Sequence, residues 1–424
     1  MALIELPYAS SSLSITIPDA WLGELVHPLP VAPVPDVGAL VTRALSHPLG
    51  TPPLAMLVRP GLRVALIVDD YTRKTPVDRI LPFILDQLLR AGIWCDDIRI
   101  VIALGTHRPM THEELVAKVG AEVANRYEII NSPSTAREEM VYLGESSHGI
   151  PAWVQRTVAE ADLRIGLGMI TPHMDAGFSG GAKIVLPGVC DSRTVDAFHA
   201  VSAFDPGNQL GKVDAPLRRS LERFVAERVP LDFVVNAVIN LEGEVYQCVA
   251  GHAVDAHRVG VGHARTVFGV PVKRRYPVVV ANCYPYDVDW WQSSKGAWSG
   301  DLVTAPGGAL VLVAAAPEGH STYPLVPGYT GRSPEEVQAE ISAGEARDAK
   351  QAAAGVMMAM LNQRVKLSLV SQGIGAADAD LMDIDYYAEV EAAVSGAVAA
   401  LPCGEQSGSV AVIPQAGIVL PMVS

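Results

Sequence analysis

The chain has 424 residues, of which 49% are hydrophobic and 18% charged, and its formal net charge is −14. That length exceeds one ordinary core and points to two or three domains with plenty to bury. The acidic balance disfavours nucleic acid and anionic lipid as partners, while leaving a small anion free to settle at a local cationic cluster.

In chain order, "MALIELPYASSSLSITIPDAW" lacks the basic start and apolar centre of a signal peptide. No later apolar run approaches the roughly 18 uncharged residues of a membrane helix. Proline-dense "HPLPVAPVPDVG" (27–38) marks an extended surface segment. "LRVALIVDD" (62–70) reads as a buried strand ending in acids, and "DRILPFILDQLLRAG" (78–92) as an amphipathic helix stopped by glycine. "IRIVIALG" (98–105) is a second strand. Thr111 and Glu114 then form a capping box that opens a helix, with His112 on its solvated face. "AWVQRTVAEA" followed by "LRIGLGMI" repeats the helix–strand order, and "IVLPGV" after Lys183 reads as another buried strand. "GHAVDAHRVGVGHARTVFG" is an amphipathic helix. Beyond it, "YPVVVANCYP", "GALVLVAAAPEG", "VKLSLVSQGI" and "GSVAVIPQAG" are buried-type strands with helical stretches such as "SPEEVQAEIS" between them.

Strands alternating with helices predict two α/β domains with mainly parallel sheets and an active site in the cleft between them. The expected division is an N-terminal domain over 1–251, a linking helix over 252–270, and a C-terminal domain over 271–424. The five cysteines, Cys95, Cys190, Cys248, Cys283 and Cys403, never fall in CxxC spacing. That suits reduced thiols in a cytoplasm better than a disulfide frame.

Three strand ends carry residues capable of chemistry: Asp70–Arg73, Gly105–His107 and Thr171–His173. Ligands of open parallel sheets bind at such carboxyl ends, so a shared site is expected. "FSGGAK" is small enough to admit a phosphate against the backbone, although it matches neither a Walker A loop nor GxGxxG. A plain tight turn explains the stretch equally well. Lys183 at its end enters an apolar segment, where an amine without a partner is costly. A desolvated lysine is a candidate nucleophile or covalent anchor. His107, His173 and His199 are candidates for acid–base work or metal ligation, against the common alternative of satisfied structural histidines. In "DDYTRKTP" an acid, the Thr72 hydroxyl and Arg73 crowd a strand end; Arg73 suits a carboxylate, or belongs to a charged surface turn. Gln292 and Lys295 share one face of a possible helix beside Trp290 and Trp291, a stretch that taken alone is better explained as an amphipathic domain-edge helix.

Together, "DDYTR", "GTHRPMT", "PHMDAGFSGGAKIVLPG", "FHA" and "QSSK", in that order, resemble the lactate racemase family, the nickel-pincer-nucleotide-dependent 2-hydroxyacid racemases and epimerases. The resemblance implies a pyridinium mononucleotide carrying nickel, joined to Lys183 as a thioamide and made by dedicated biosynthesis enzymes. It implies His199 as the nickel ligand, in a square-planar centre of the kind Ni(II) favours. Ser179, Gly180 and Gly181 would give the nucleotide room and cradle its phosphate. Asp70 and Thr72 would lie beside the cofactor, the role of Asp70 being open between orienting a histidine and holding the nucleotide.

The same resemblance makes His107 and His173 the acid–base pair. One histidine removes the hydroxyl proton while hydride leaves the α-carbon, and a planar 2-oxo acid turns over before hydride returns to its other face. Arg73, Gln292 and Lys295 would grip the substrate carboxylate. Lactate-like or short aliphatic substrates are slightly preferred, with Tyr71, Trp290, Trp291 and "GVMMAMLNQ" (355–363) as candidate pocket positions. Two rivals remain: a non-catalytic protein that binds a nucleotide or organic anion, and a hydrolase with zinc on the three histidines. The latter lacks HExxH and an evident carboxylate base.

Overall fold

The computed structural model describes residues 1–147, 149–205 and 207–424, the side chains of 199–204 excepted. The chain forms two compact units, one built mainly from Pro30–Val201 and Gly207–Val267, the other mainly from Met1–Leu29 and Phe268–Ser424.

The first unit is a six-stranded sheet. Its spatial order is Val245–Gly251, Phe233–Ile239, Leu163–Met169, Val64–Asp69, Ile98–Ala103 and Glu128–Asn131. All neighbours are parallel except the antiparallel first pair. Every residue of Val64–Asp69 is buried, as the unbroken apolar run requires of a strand covered on both faces. The helix Val77–Arg90 turns Ile80, Leu81, Ile84, Leu85 and Leu88 inward, a stripe at helical spacing. Strand order runs outward from Val64–Asp69 through Ile98–Ala103 on one side, and from Leu163–Met169 through Phe233–Ile239 on the other. The topological switch therefore lies between Val64–Asp69 and Leu163–Met169, so the loops leaving these two strands part to opposite faces and open a crevice.

The second unit holds another six-stranded parallel sheet, ordered Asp385–Tyr387, Lys366–Ser371, Thr304–Ala314, Tyr276–Asn282, Val410–Ile413 and Leu22–Leu25. The N-terminal hairpin Ala2–Tyr8/Ser11–Ile17 packs Ile4, Leu6, Ile15 and Ile17 into the same core as Val278, Val280, Val311 and Val412. Asn282 stitches the two together, its side-chain amide donating to Pro7 O at 2.6 Å and Pro414 O at 2.8 Å.

Four sequence expectations differ from this structure. Residues 1–29 belong with the C-terminal sheet instead of the N-terminal one, because Leu22–Leu25 finds its edge at Val410–Ile413. The helix Asp255–Phe268 lies almost wholly within the first unit, to which it contributes Ala256, Val261 and Ala264 as buried residues. In the 152–161 stretch only Arg156–Ala159 is helical, and Pro151–Gln155 is a strand paired with Met140–Glu145. The apolar run after Lys183 is buried but is not a strand. It coils through a short 3-10 turn, Gly181–Ile184, and further turns closed by Val185 N–H to Ala182 O and Val189 N–H to Val185 O. Pro187, without an N–H, could not complete a central ladder there.

Candidate active site

The turn after Val64–Asp69 is built around Asp70, 2% exposed. Its Oδ1 accepts from the Thr72 backbone N–H at 3.0 Å and the Thr72 hydroxyl at 2.6 Å, and Thr72 Oγ1 in turn accepts from the Arg73 guanidinium at 3.3 Å. The other oxygen, Oδ2, lies 2.6 Å from His107 Nδ1 in the loop after the neighbouring strand. Burial alone would raise the Asp70 pKa, but the hydrogen bonds from His107 and Thr72 outweigh it and hold the carboxyl below its ordinary range. Asp70 is thus an anion that only accepts. Nδ1 of His107 carries the proton, and Nε2 is left as the basic nitrogen of the neutral ring.

His173 is set the opposite way. Pro172–His173 pairs with Gly177–Phe178 in a two-residue ribbon, and the tight return between them aims the backbone N–H groups of Asp175 and Ala176 at His173 Nδ1, at 3.2 and 3.4 Å. Nδ1 therefore accepts, and in the neutral ring the proton resides on Nε2.

The 179–181 turn rests on a buried polar frame. The Ser179 hydroxyl donates to Met169 O at 2.9 Å and accepts from Thr171 N–H at 2.9 Å. Gly180 and Gly181 have φ of +77° and +58°, and a Cβ on Gly181 would lie 2.9 Å from Ala253 O and 3.1 Å from the His257 side chain. Gly181 N–H donates to Asn236 Oδ1 at 2.9 Å, and Ser179 N–H to Thr171 O at 2.8 Å. These two N–H groups are committed inside the protein, so the expected phosphate cradle gains no donor from them; the glycines serve the sharpness of the turn.

Arg218, 0% exposed, donates to Ala176 O at 3.2 Å, to Gly180 O at 3.2 Å and to Phe178 O. Burial lowers its pKa to about 10. His257 Nε2 donates to Ser179 O at 2.9 Å, its Nδ1 faces Arg258 at 3.0 Å, and burial holds its pKa well down. Sequence reasoning singled out none of Arg218, Asn236 and His257. Their signal was weak: single polar residues inside otherwise ordinary helix and strand patterns.

Lys183 ends this turn. Its amine has no hydrogen-bond or ion-pair partner among the described residues. Burial first, then the positive charges of Arg73 and Arg218, press its pKa down to about 7, with Asp175 opposing them. Coulombic coupling of Lys183 to Arg73 places the 70–73 turn and the 179–183 turn in one electrostatic neighbourhood, at the topological switch. An amine with a pKa near 7, unpartnered among the described residues and beside fixed cations, is chemically competent both to be acylated and to sit near an anion.

Asp70, Thr72, Arg73 and His107 are thus joined by direct bonds, and His173, Ser179, Gly180, Gly181 and Lys183 form a second connected group. His199 falls on the helix Ser192–Phe204, but its side chain lies outside the described residues. Among the described residues no group of three or more His, Cys, Asp or Glu side chains could hold a metal ion.

In the second unit, Gln292 and Lys295 lie one turn apart on Trp290–Val303, with Lys295 Nζ donating to Gln292 Oε1 at 2.5 Å and 3.9 Å from the centre of the Tyr286 ring. Asp289 caps this helix through Gln292 N–H. Trp290 and Met358, two candidate pocket residues, are core, while Trp291 stacks on Tyr323 at 4.3 Å and Tyr71 is 40% exposed beneath Arg108.

Comparison with known proteins agrees with this architecture. Residues 8–211 match the family described as the lactate racemase N-terminal domain. The chain is 32% identical to a lactate racemase of Lactiplantibacillus plantarum over 327 residues, 76% of each chain. It is 30% identical to a lactate racemase of Thermoanaerobacterium thermosaccharolyticum, again over 76% of each. A structure of the lactate racemase apoprotein from the latter organism superposes with a TM-score of 0.86 at 26% identity, covering 99% of this chain and 100% of that one. A Thermotoga maritima protein at 20% identity and TM-score 0.66, covering 91% of this chain and 97% of that one, shares the fold.

Proposed function

The chain belongs to the lactate racemase family and is an isomerase; from that premise we propose that it racemises or epimerises a 2-hydroxy acid, lactate-like or short aliphatic, on a nickel-pincer nucleotide tethered to Lys183. The observation that carries this reading is the Lys183 amine, unpartnered among the described residues and near-neutral at physiological pH, beside cationic Arg73 and at the same strand-end crevice as His107. The residues present fit the group: an amine with a pKa of about 7 is available for the thioamide link, and Arg73 and Arg218 favour an anion nearby. Ser179, Gly180 and Gly181 shape the turn that presents Lys183, Asp70 and Thr72 line the approach, and His199 is the proposed nickel ligand. When bound, the nucleotide supplies a hydride acceptor.

The chain's own residues then handle the proton and the carboxylate. His107, held at Nδ1 by Asp70, offers Nε2 as a base to the substrate hydroxyl. His173 presents a protonated Nε2 from the other loop, and is the proposed acid of the pair. Arg73 is assigned to the substrate carboxylate. The free cysteines support a reducing compartment, so we assign a cytoplasmic location and maturation there by cofactor-biosynthesis enzymes.

The test uses protein produced alongside those biosynthesis enzymes. Each pure enantiomer of lactate is incubated with it and followed by chiral chromatography, while intact mass and nickel content are measured on the same sample. Loss of optical purity from both sides, with a mononucleotide-sized mass on the Lys183 peptide, is expected. A zinc-bearing, unmodified protein would favour a hydrolase, and reversible ligand binding with no adduct would favour a carrier.

A further inference from the structure

Lys118 stands outside the residues assigned above, yet it is a buried cation. It sits on His112–Val119, the helix that follows the His107 loop, and its side chain is 7% exposed. Its ammonium reaches across to the turn after the adjacent strand: Asp69 Oδ1 at 2.8 Å, Arg73 O at 2.9 Å and Thr75 O at 3.4 Å. The Thr75 hydroxyl donates to the other oxygen of Asp69, which closes residues 69–75 into a ring with Lys118 at its hub. Two carbonyls accept hydrogen bonds from the ammonium and Asp69 is its ion-pair partner, a convergence on one point that suits a compact ammonium better than a planar guanidinium. Inside this ring lie Asp70, which fixes His107, and Arg73, whose own carbonyl Lys118 holds.

We infer that Lys118 is a positioning residue that locks the Asp70–Arg73 turn to the His107 loop, and so sets where the Arg73 guanidinium sits relative to the His107 ring. The inference rests on the reading of Arg73 and His107 given above for its kinetic consequence, but not for its structural one. Burial raises the Asp69 pKa, and Lys118 with Thr75 opposes that rise without cancelling it. Such a pair ties a turn down in a way that apolar packing, which has no direction, does not.

The test compares Lys118→Met, which keeps the stem and loses the donors, with Asp69→Asn/Lys118→Met, which leaves no uncompensated buried charge if the single variant folds poorly. Hydrogen exchange of the 70–76 segment is read by mass spectrometry in each, and KM and kcat on the cofactor-bearing enzyme. Exchange at 70–76 should rise at least tenfold while Val64–Asp69 and His112–Val119 stay protected. KM for lactate should rise about tenfold or more, and in an Arg73→Ala background Lys118→Met should add less than twofold. Unchanged exchange in both variants, or a full additional loss on the Arg73→Ala background, overturns the positioning role. A normal KM in Arg73→Ala alone, with raised exchange in the Lys118 variants, overturns the carboxylate assignment of Arg73 and leaves the lock itself supported.

Discussion

Asp70 Oδ2 and His107 Nδ1 are 2.6 Å apart, with the carboxylate almost fully buried and the imidazole partly open to solvent. The carboxylate ties down one ring nitrogen and leaves the other for chemistry. Asp70→Asn keeps the shape but can turn an N–H toward Nδ1 and select the wrong tautomer. Turnover should fall about 10- to 100-fold, the range for losing a partner that orients a reactive group, with cofactor content unchanged. Rates within twofold of the parent enzyme would make the bond a structural one.

Lys183 should betray its depressed pKa before any cofactor is attached. Its amine is protonated below its pKa and nucleophilic above it, so acylation by a small anhydride should climb tenfold per pH unit up to about pH 7 and then level off. Ordinary surface lysines keep climbing toward their much higher pKa. Peptide mapping of apoprotein labelled from pH 5 to 9 reads the two profiles side by side, and a Lys183 profile parallel to the surface ones refutes the depression.

Gly181→Ala combines a positive φ with a Cβ 2.9 Å from Ala253 O. The strain should cost about 1–3 kcal/mol of stability, seen as a lower urea midpoint, and should reduce the Lys183 adduct. Gly61→Ala, at φ +86° with nothing within 4 Å, controls for backbone strain without crowding.

Arg218→Met should destabilise by about 3 kcal/mol, because buried carbonyls of Ala176, Phe178 and Gly180 lose their donor. Arg218→Lys should recover little, since one ammonium cannot span three carbonyls spread over five residues. Chemical denaturation of apoprotein measures both, and a loss under 1 kcal/mol for Met contradicts the bracing role.

The sequence was most readable where physics is local. Runs rich in β-branched residues at 64–69 and 98–103 became central parallel strands, and the Thr111–Glu114 box formed as the spacing requires. It was least readable where a partner lies far along the chain. Nothing near residue 22 announces that its strand pairs with residue 410, and nothing in "PLRRSLERF" announces that Arg218 is the one turned wholly inward. "IVLPGV" has strand composition, and its coil comes from the turn that must precede it and from Pro187. The strand-end residues 70–73, 107 and 173 stood out because chemistry-bearing side chains there break an apolar pattern. Lys118 did not, because a lysine near a helix end is ordinarily solvated.

Pairing of Leu22–Leu25 with Val410–Ile413 has a consequence for how the molecule is made on the ribosome. Residues 30 to 267 include every strand of their own sheet, so that sheet can close while the remainder is still being synthesised. The strand Leu22–Leu25 precedes all of these in the chain and yet must wait for Val410–Ile413 to emerge before its own sheet is complete. A fusion placed at the amino end would therefore encumber the final step of maturation rather than the first.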